Sequence, residues 1–352
     1  MKRILFIIFV LFTCLTVKAD VKHKKVEKTF KAENIKELVV ENRYGQIEIE
    51  QWDKDVIEIK IDIKVDARSM EKVNTILNKI NISFVQKADY INVITGFSEN
   101  FKISKFSNAF FSGGSTKIDY VIHMPKNIAL KLANEQGNVF IGDFAGKLNV
   151  DVKDGDLKIG KALGQSSINV NSGSVNIEYL VKSTCLFEDN KEINIAKADD
   201  INIDAKHSEI NITEANKIVI TSSKGNCNIG NVTSLRGSSS MTDYIVQDVS
   251  EELIFDLWFG SLNVRNIHNM FSLVDVKTER ARTGLTFMQG AAYDIEIRHH
   301  KNVKLDLPAG IDVKRRNTAK KKVFISEGKY GGVNNFKSKV KINAYGCKFF
   351  IQ

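Results

Sequence analysis

The most regular polar feature of the sequence is a column of asparagines. Asn176, Asn194, Asn211, Asn228 and Asn263 each stand between two apolar residues, in steps of 17 or 18 residues with one double step. Alternate residues of an extended chain face opposite sides, so these amides would share one outward face. Stacked amides can hydrogen-bond to one another, or they can offer donors and acceptors to the hydroxyls of a glycan. A second candidate lies in residues 96–115. There Phe101, Phe106, Phe110 and Phe111, with Phe97, sit among Ser, Lys, Asn and Gly. Exposed, these rings would form a contact site; folded back, they would cover the edge of a core. Asp151, Asp154 and Asp156 surround Gly155, and three carboxyls at one turn approach the oxygen set of Ca²⁺. Neighbouring segments do not repeat the acids, so a solvated turn is expected and no metal site is assigned. His299 and His300 are adjacent, face opposite ways in a strand, and make a poor metal pair. No serine stands in a nucleophile motif, no glycine loop is built to cradle phosphate, and no acids converge with a base on one face. No catalytic residue and no cofactor are expected.

These side chains need a scaffold that repeats, and the chain supplies one. An eight-residue phrase begins at 137, 155, 173, 191, 208, 225, 242 and 260. Its pattern is turn residue, polar, apolar, x, apolar, x, x, apolar, as in Gly137-Asn138-Val139-Phe140-Ile141-Gly142-Asp143-Phe144. All 24 apolar slots hold a hydrophobic residue. The central alternation is strand periodicity, and the last apolar residue suits a corner. Half a step upstream a second strand core recurs: Leu130 and Leu132, Val150 and Val152, Ile168 and Val170, Ile201 and Ile203, Ile218 and Ile220, Phe271 and Leu273. A unit of 17 or 18 residues cannot bury its inner side chains alone, whereas stacked units can. The expected fold is all-β, a single-stranded right-handed β-helix, or solenoid, of about 17–18 residues per coil. Propeller and leucine-rich repeats have other periods and ladders.

Residues 1–19 read as a signal peptide. Lys2 and Arg3 precede an apolar run, Ile4 to Val17, and Val17-Lys18-Ala19 offers cleavage before Asp20. An N-terminal anchor is the alternative, although the run is short for a bilayer. Leu11-Phe12-Thr13-Cys14 also hints at lipidation. No other segment approaches a membrane span, so none should remain after cleavage. Removing the leader leaves 48 basic and 42 acidic residues. The bases are dispersed, which argues against nucleic acid. Cys185 and Cys227 read as small buried hydrophobes too far apart to bridge.

Residues 20–126 should hold N-terminal strands, one capping helix and the aromatic loop. Within them, 20–35 reads as a loose lysine-rich lead-in. The phrase appears once more from Gly45 to Trp52. Ser69 can cap the helix, with Met70, Val73, Leu77 and Ile80 on its apolar face. Coils should occupy 127–310, with Ser234 to Ser240 ejected as a loop. Residues 311–352 should form the last coils and a basic cap. The run Lys314-Arg315-Arg316 and Lys320-Lys321-Lys322 reads as a solvated edge that discourages end-to-end pairing.

Two stretches carry a resemblance. One is Ile118-Asp119-Tyr120-Val121-Ile122-His123-Met124-Pro125-Lys126 with Leu130-Lys131-Leu132 and the phrase that follows. The other is Val40-Glu41-Asn42-Arg43-Tyr44-Gly45 with the Trp52-Asp53-Lys54 corner. Both resemble the bacterial putative-adhesin family of exported β-solenoids, related to GIN-type head domains. The resemblance covers most of residues 36 to 310. It implies a periplasmic or surface location and an adhesin-like role, with an envelope glycan or surface protein as partner. It supplies no catalytic residues. A polysaccharide-active lyase or hydrolase on the same scaffold is the alternative.

Overall fold

The computed structural model describes residues 20–98, 115–301, 303–317, 322–331 and 338–352. The described residues are nearly all β, and their 19 strands join one sheet. The leader at 1–19, Phe101, Phe106, Phe110, Phe111 and Lys320–Lys321 lie outside the described residues.

The first part of the chain contains β1 (Asp20–Lys31), β2 (Glu37–Arg43), β3 (Ile47–Trp52), β4 (Val56–Ala67), helix α1 (Met70–Leu77), β5 (Ile80–Gln86), β6 (Tyr90–Phe97) and β7 (Ser115–Pro125). The middle holds β8 (Ala129–Glu135), β9 (Val139–Ile141), β10 (Leu148–Lys153) and β11 (Leu157–Ile267). The last part holds β12 (Leu273–Glu279), β13 (Arg282–Phe287), β14 (Tyr293–His300), β15 (Lys304–Asp306), β16 (Asp312–Asn317), β17 (Val323–Tyr330), β18 (Ser338–Tyr345) and β19 (Lys348–Ile351).

Successive copies of the phrase lie side by side in parallel. Leu148 pairs with Leu130 on one side and Ser166 on the other, both 18 residues away, and Leu157 pairs with Val139. All 24 apolar slots of the phrase are buried, because only the stack gives them a common interior. In β11 the extended chain continues for 111 residues around its own corners. Gln136 and Asp154 before it, and Ser172, Asp189, His207, Lys224, Met241 and Phe259 within it, turn the equivalent corner of each layer, each with φ between 48° and 59°. L-residues seldom adopt that conformation. Its recurrence in such different residues shows that the stack imposes it. At the fourth copy the left-handed residue falls one position earlier, so Asn190 is added to the corner and is buried.

Glycine follows several of these corners for a steric reason. A Cβ on Gly137 would stand 2.0 Å from the Gly45 carbonyl oxygen, and one on Gly155 would stand 2.1 Å from that of Gly137. Backbones of adjacent layers meet there with no room for a side chain.

Both ends of the stack are interleaved. β2 lies between β6 and β8, and β3 between β7 and β9, all parallel. The layer at residues 37–52 is therefore flanked by chain made much later. At the other end β18 sits between β12 and β14, and β19 between β13 and β15. The final strands thus fill a slot between two earlier layers. Antiparallel strands then finish each end: β4 on β7 and β1 on β4, β5 on β6, β17 on β14 and β16 on β17.

Four local expectations need correction. Residues 20–31 are not a loose lead-in; they form β1, paired with β4 along its whole length. Alternation in β4 leaves a regular ladder for β1 to follow, and exposed Lys22, Lys24, Lys25 and Lys28 charge that edge strand. Ser234–Ser240 is not ejected and continues β11. Ser222 Oγ lies 3.2 Å from Ser239 Oγ and 2.6 Å from Tyr244 Oη, so buried hydroxyls satisfy one another. At Gly237 the missing side chain admits the Phe255 ring. The helix is shorter than its apolar face implied. Ser69 caps it, accepting from Lys72 N at 3.4 Å, and Val73 and Leu77 are buried, but Met70 is exposed and Ile80 opens β5. The helix packs on β4 and β1. Finally, Leu273 is half-buried, while Val274 and Val276 point inward. The step from Phe259 to Arg280 at the corner is 21 residues, and these extra residues shift the register.

The C-terminal basic run falls where a charged edge is useful. β16 carries Lys314 and Arg316, both exposed, and pairs only with β17 among the described strands. Arg316 Nη2 holds Glu327 at 2.6 Å.

Candidate functional site

Asn176, Asn194, Asn211 and Asn228 are brought into one line. Asn194 Nδ2 donates to Asn176 Oδ1 at 3.1 Å, Asn211 Nδ2 to Asn194 Oδ1 at 3.1 Å, and Asn228 Nδ2 to Asn211 Oδ1 at 2.9 Å. The next slot of the column is Ile245, exposed and apolar, so Asn263 stands one layer beyond the break. The column is outward because its neighbours on each strand, such as Ile210 and Ile212, are buried.

An amide has two N–H groups and a carbonyl with two lone pairs. Asn211 spends one of each on its neighbours, which leaves one donor and one acceptor toward solvent. Asn194 commits its second N–H to Glu192 at 3.0 Å. Beside the amides runs a shallow groove of about 450 Å³, kept open by the small Gly160 and Ala196, with Lys158 and Glu178 toward one end.

Sequence reasoning missed a second ladder, which ties side chains to backbone. Asn138 Oδ1 accepts from Asp156 N at 3.0 Å, Asp156 Oδ1 from Ser174 N at 2.9 Å, and Asp143 Oδ1 from Lys161 N at 2.9 Å. Each link spans 18 residues. The signal was there: Asn138, Asp156 and Ser174 follow the corner glycines. This also separates the three aspartates. Asp156 caps the next layer, Asp151 accepts from Asn169 Nδ2 at 3.3 Å, and Asp154 turns a corner. Of the two histidines, His299 is buried against Phe324 and His300 lies against Tyr345. Phe97, at the start of the aromatic segment, packs edge-on against Tyr44 at 5.8 Å.

The groups with the most displaced protonation lie inside the stack. Burial pushes the thiols of Cys185 and Cys227 up to about 12. Burial likewise raises Tyr120 to about 12, against a hydrogen bond with Thr95 Oγ1 at 2.7 Å, and raises Tyr244 further. On the surface, the Lys60 ammonium holds the Glu58 carboxyl below its usual range, and the Asp199 carboxylate raises the hydroxyl of Tyr179. A thiol that is neutral and enclosed does not react until the chain opens. Cys185 and Cys227 should therefore resist an aromatic disulfide reagent in the native protein and label at once in urea. Rapid labelling without denaturant would mean that the interior is not closed.

Fold and site together define a layered, nearly all-β protein with an outward amide ladder. No family model matches the chain, and no curated protein matches it. Solved structures similar to it include a putative adhesin from Bacteroides fragilis, at 15% identity over 69% of this chain and 96% of that one, with a TM-score of 0.34. Another is a putative lipid-binding protein from Parabacteroides distasonis, at 11% identity over 76% of this chain and 94% of that one, also at 0.34. A third is a putative cell adhesion protein from Clostridium sporogenes, at 9% identity over 94% and 99%, with a TM-score of 0.19. At these scores the neighbours define neither the ligand nor the partner of this chain. Among the described residues, no helix is long and apolar enough to cross a membrane.

Proposed function

We propose that this chain is an exported right-handed β-solenoid that acts as an adhesin-like or envelope-associated binding module, without catalysis. Residues 1–19 serve as its signal peptide, 20–126 and 311–352 close its ends, and 127–310 present its faces. The observation that carries the reading is the ladder Asn176–Asn194–Asn211–Asn228, with its unspent donors and acceptors beside an open groove. Such a face suits the hydroxyls of an envelope glycan, which also donate and accept.

Two measurements test this. Cells producing the full chain should place it in the envelope or medium with Asp20 at its N-terminus. Cytosolic retention with residues 1–19 attached would sink the export claim. On an array of envelope glycans, Asn211→Ala should bind at least tenfold more weakly than the parent, since it breaks two links at the centre of the ladder. Equal binding by both would remove the amide face from the site.

A further inference from the structure

The other strand face of the stack carries a feature unlike its surroundings. Trp258 is 51% exposed there, and its outward neighbours in the adjoining layers, Ser238, Ser240, Lys277 and Glu279, are short or charged. The 17- and 18-residue steps, and the pairing of β11 with β12, place Thr221, Ser238, Asp256 and Lys277 in one outward column. They place Ser223, Ser240, Trp258 and Glu279 in the next. The indole thus rises at the end of a ledge of four hydroxyl residues two layers deep. Together with the Asp256–Lys277 pair and Glu279, it encloses a groove of about 510 Å³. Lys277 Nζ holds Asp256 Oδ2 at 2.8 Å, so those two charges cancel. Among the described residues the hydroxyls of Thr221, Ser223, Ser238 and Ser240 make no intramolecular hydrogen bond. The apolar wall extends to the corner beside it. Phe259 lies 5.2 Å from Trp258, Arg280 lies over the Phe259 ring at 5.8 Å, and Met241 is 49% exposed. Each layer turns this same corner on a left-handed residue, so the backbone there is ordinary for this fold. What is unusual is the choice of large apolar side chains at these two corners.

We infer that this groove is a binding subsite for a pyranose ring of a neutral glycan. A pyranose has an apolar face of C–H bonds and a rim of hydroxyls. The negative face of an indole attracts the polarised C–H bonds of such a face. Hydroxyl residues that donate and accept equally match the rim, whereas a ledge of one charge would not. The paired Asp256 and Lys277 leave no strong field to select an anionic polymer. Trp258 supplies the stacking surface, the Ser/Thr ledge supplies orientation, and Glu279 supplies an acceptor at the far side. The site adds to the binding role proposed above and lies on a different face from the amide ladder, so the two can fail separately.

The test uses the full chain with neutral cello-, manno- and chito-oligosaccharides and, as an anionic counterpart, oligogalacturonate. The chain has two tryptophans, and Trp52 is held by its own bond to the Val56 carbonyl at 2.8 Å. A neutral oligosaccharide should shift the emission of the parent to shorter wavelength as the exposed indole is covered. Calorimetry should show at least a tenfold weaker affinity for Trp258→Ala and an intermediate affinity for Trp258→Phe, which keeps a ring. The melting temperature of each variant reports folding, and an exposed indole predicts little change. Failure of every neutral oligosaccharide to bind would overturn the inference, as would preference for oligogalacturonate or unchanged affinity in Trp258→Ala. Loss of binding in Asn211→Ala but not in Trp258→Ala would refute this subsite and leave the amide face standing. The reverse pattern would refute the amide face.

Discussion

Replacing Ile212 with Asp is expected to cost roughly 4 kcal/mol or more, while replacing the adjacent Asn211 with Asp should cost about 1 kcal/mol. Ile212 is 2% exposed and belongs to the apolar column inside the stack, with Ile195 and Ile229 in the same slot of the adjoining layers. A carboxylate there would be enclosed among aliphatic side chains with no cation in reach, so it must either remain charged without a partner or take up a proton. Asn211 faces the other way. An aspartate there can still accept from Asn228 Nδ2 but loses the bond it donates to Asn194. Each layer is stabilised mainly by its two neighbours, so the damage at Ile212 should spread through the middle of the stack. Urea unfolding of both variants beside the parent measures this. A greater loss for Asn211→Asp would invert the inward and outward faces assigned to every copy of the phrase.

Gly155→Ala should destabilise by about 3 kcal/mol or more, whereas Gly142→Ala should be nearly neutral. Both substitutions add one methyl group to the same layered region, so helix or strand propensity does not separate them. The new Cβ at Gly155 would lie 2.1 Å from the Gly137 carbonyl oxygen and 2.7 Å from its carbon, and both are backbone atoms. Only a separation of the two layers relieves that overlap, and it would strain the parallel pairing on either side. At Gly142 the nearest atom to the new Cβ is the Ile49 carbonyl oxygen at 3.7 Å, an ordinary contact. Thermal unfolding of the two alanine variants gives the comparison directly. If Gly155→Ala melted with the parent, the close approach of layers at the corner would be wrong.

The period, the strand character and the inward slots were legible in the sequence for one reason. Residues at equivalent positions meet the same surroundings in every layer, so the same physical demand is written repeatedly. Val139, Leu157, Val175, Ile193, Ile210, Cys227, Tyr244 and Leu262 fill one slot, and all are buried. The outward column of asparagines followed from the same alternation. The serines of 234–240 were misread because polarity alone says nothing about who satisfies it. Ser239 is buried, and its partner Ser222, which also meets Tyr244, comes from the adjacent layer 17 residues earlier. Trp258 went unnoticed because one exposed ring has no periodicity. Its ledge exists only when Ser223, Ser240 and Glu279 from three other layers line up with it.

By itself the sequence determined which face of each repeated segment between residues 137 and 267 is buried and how long each of those layers is, because side-chain alternation and corner spacing are local. Only the tertiary structure decided which layer lies against which. The backbone hydrogen bonds between parallel strands are nearly the same whatever the sequence, so alternation cannot name a neighbour. The slot of β2 between β6 and β8, and of β18 between β12 and β14, is set instead by strand edges that would otherwise be left unpaired. Those edges become available only when chain distant in sequence has been stacked beside them.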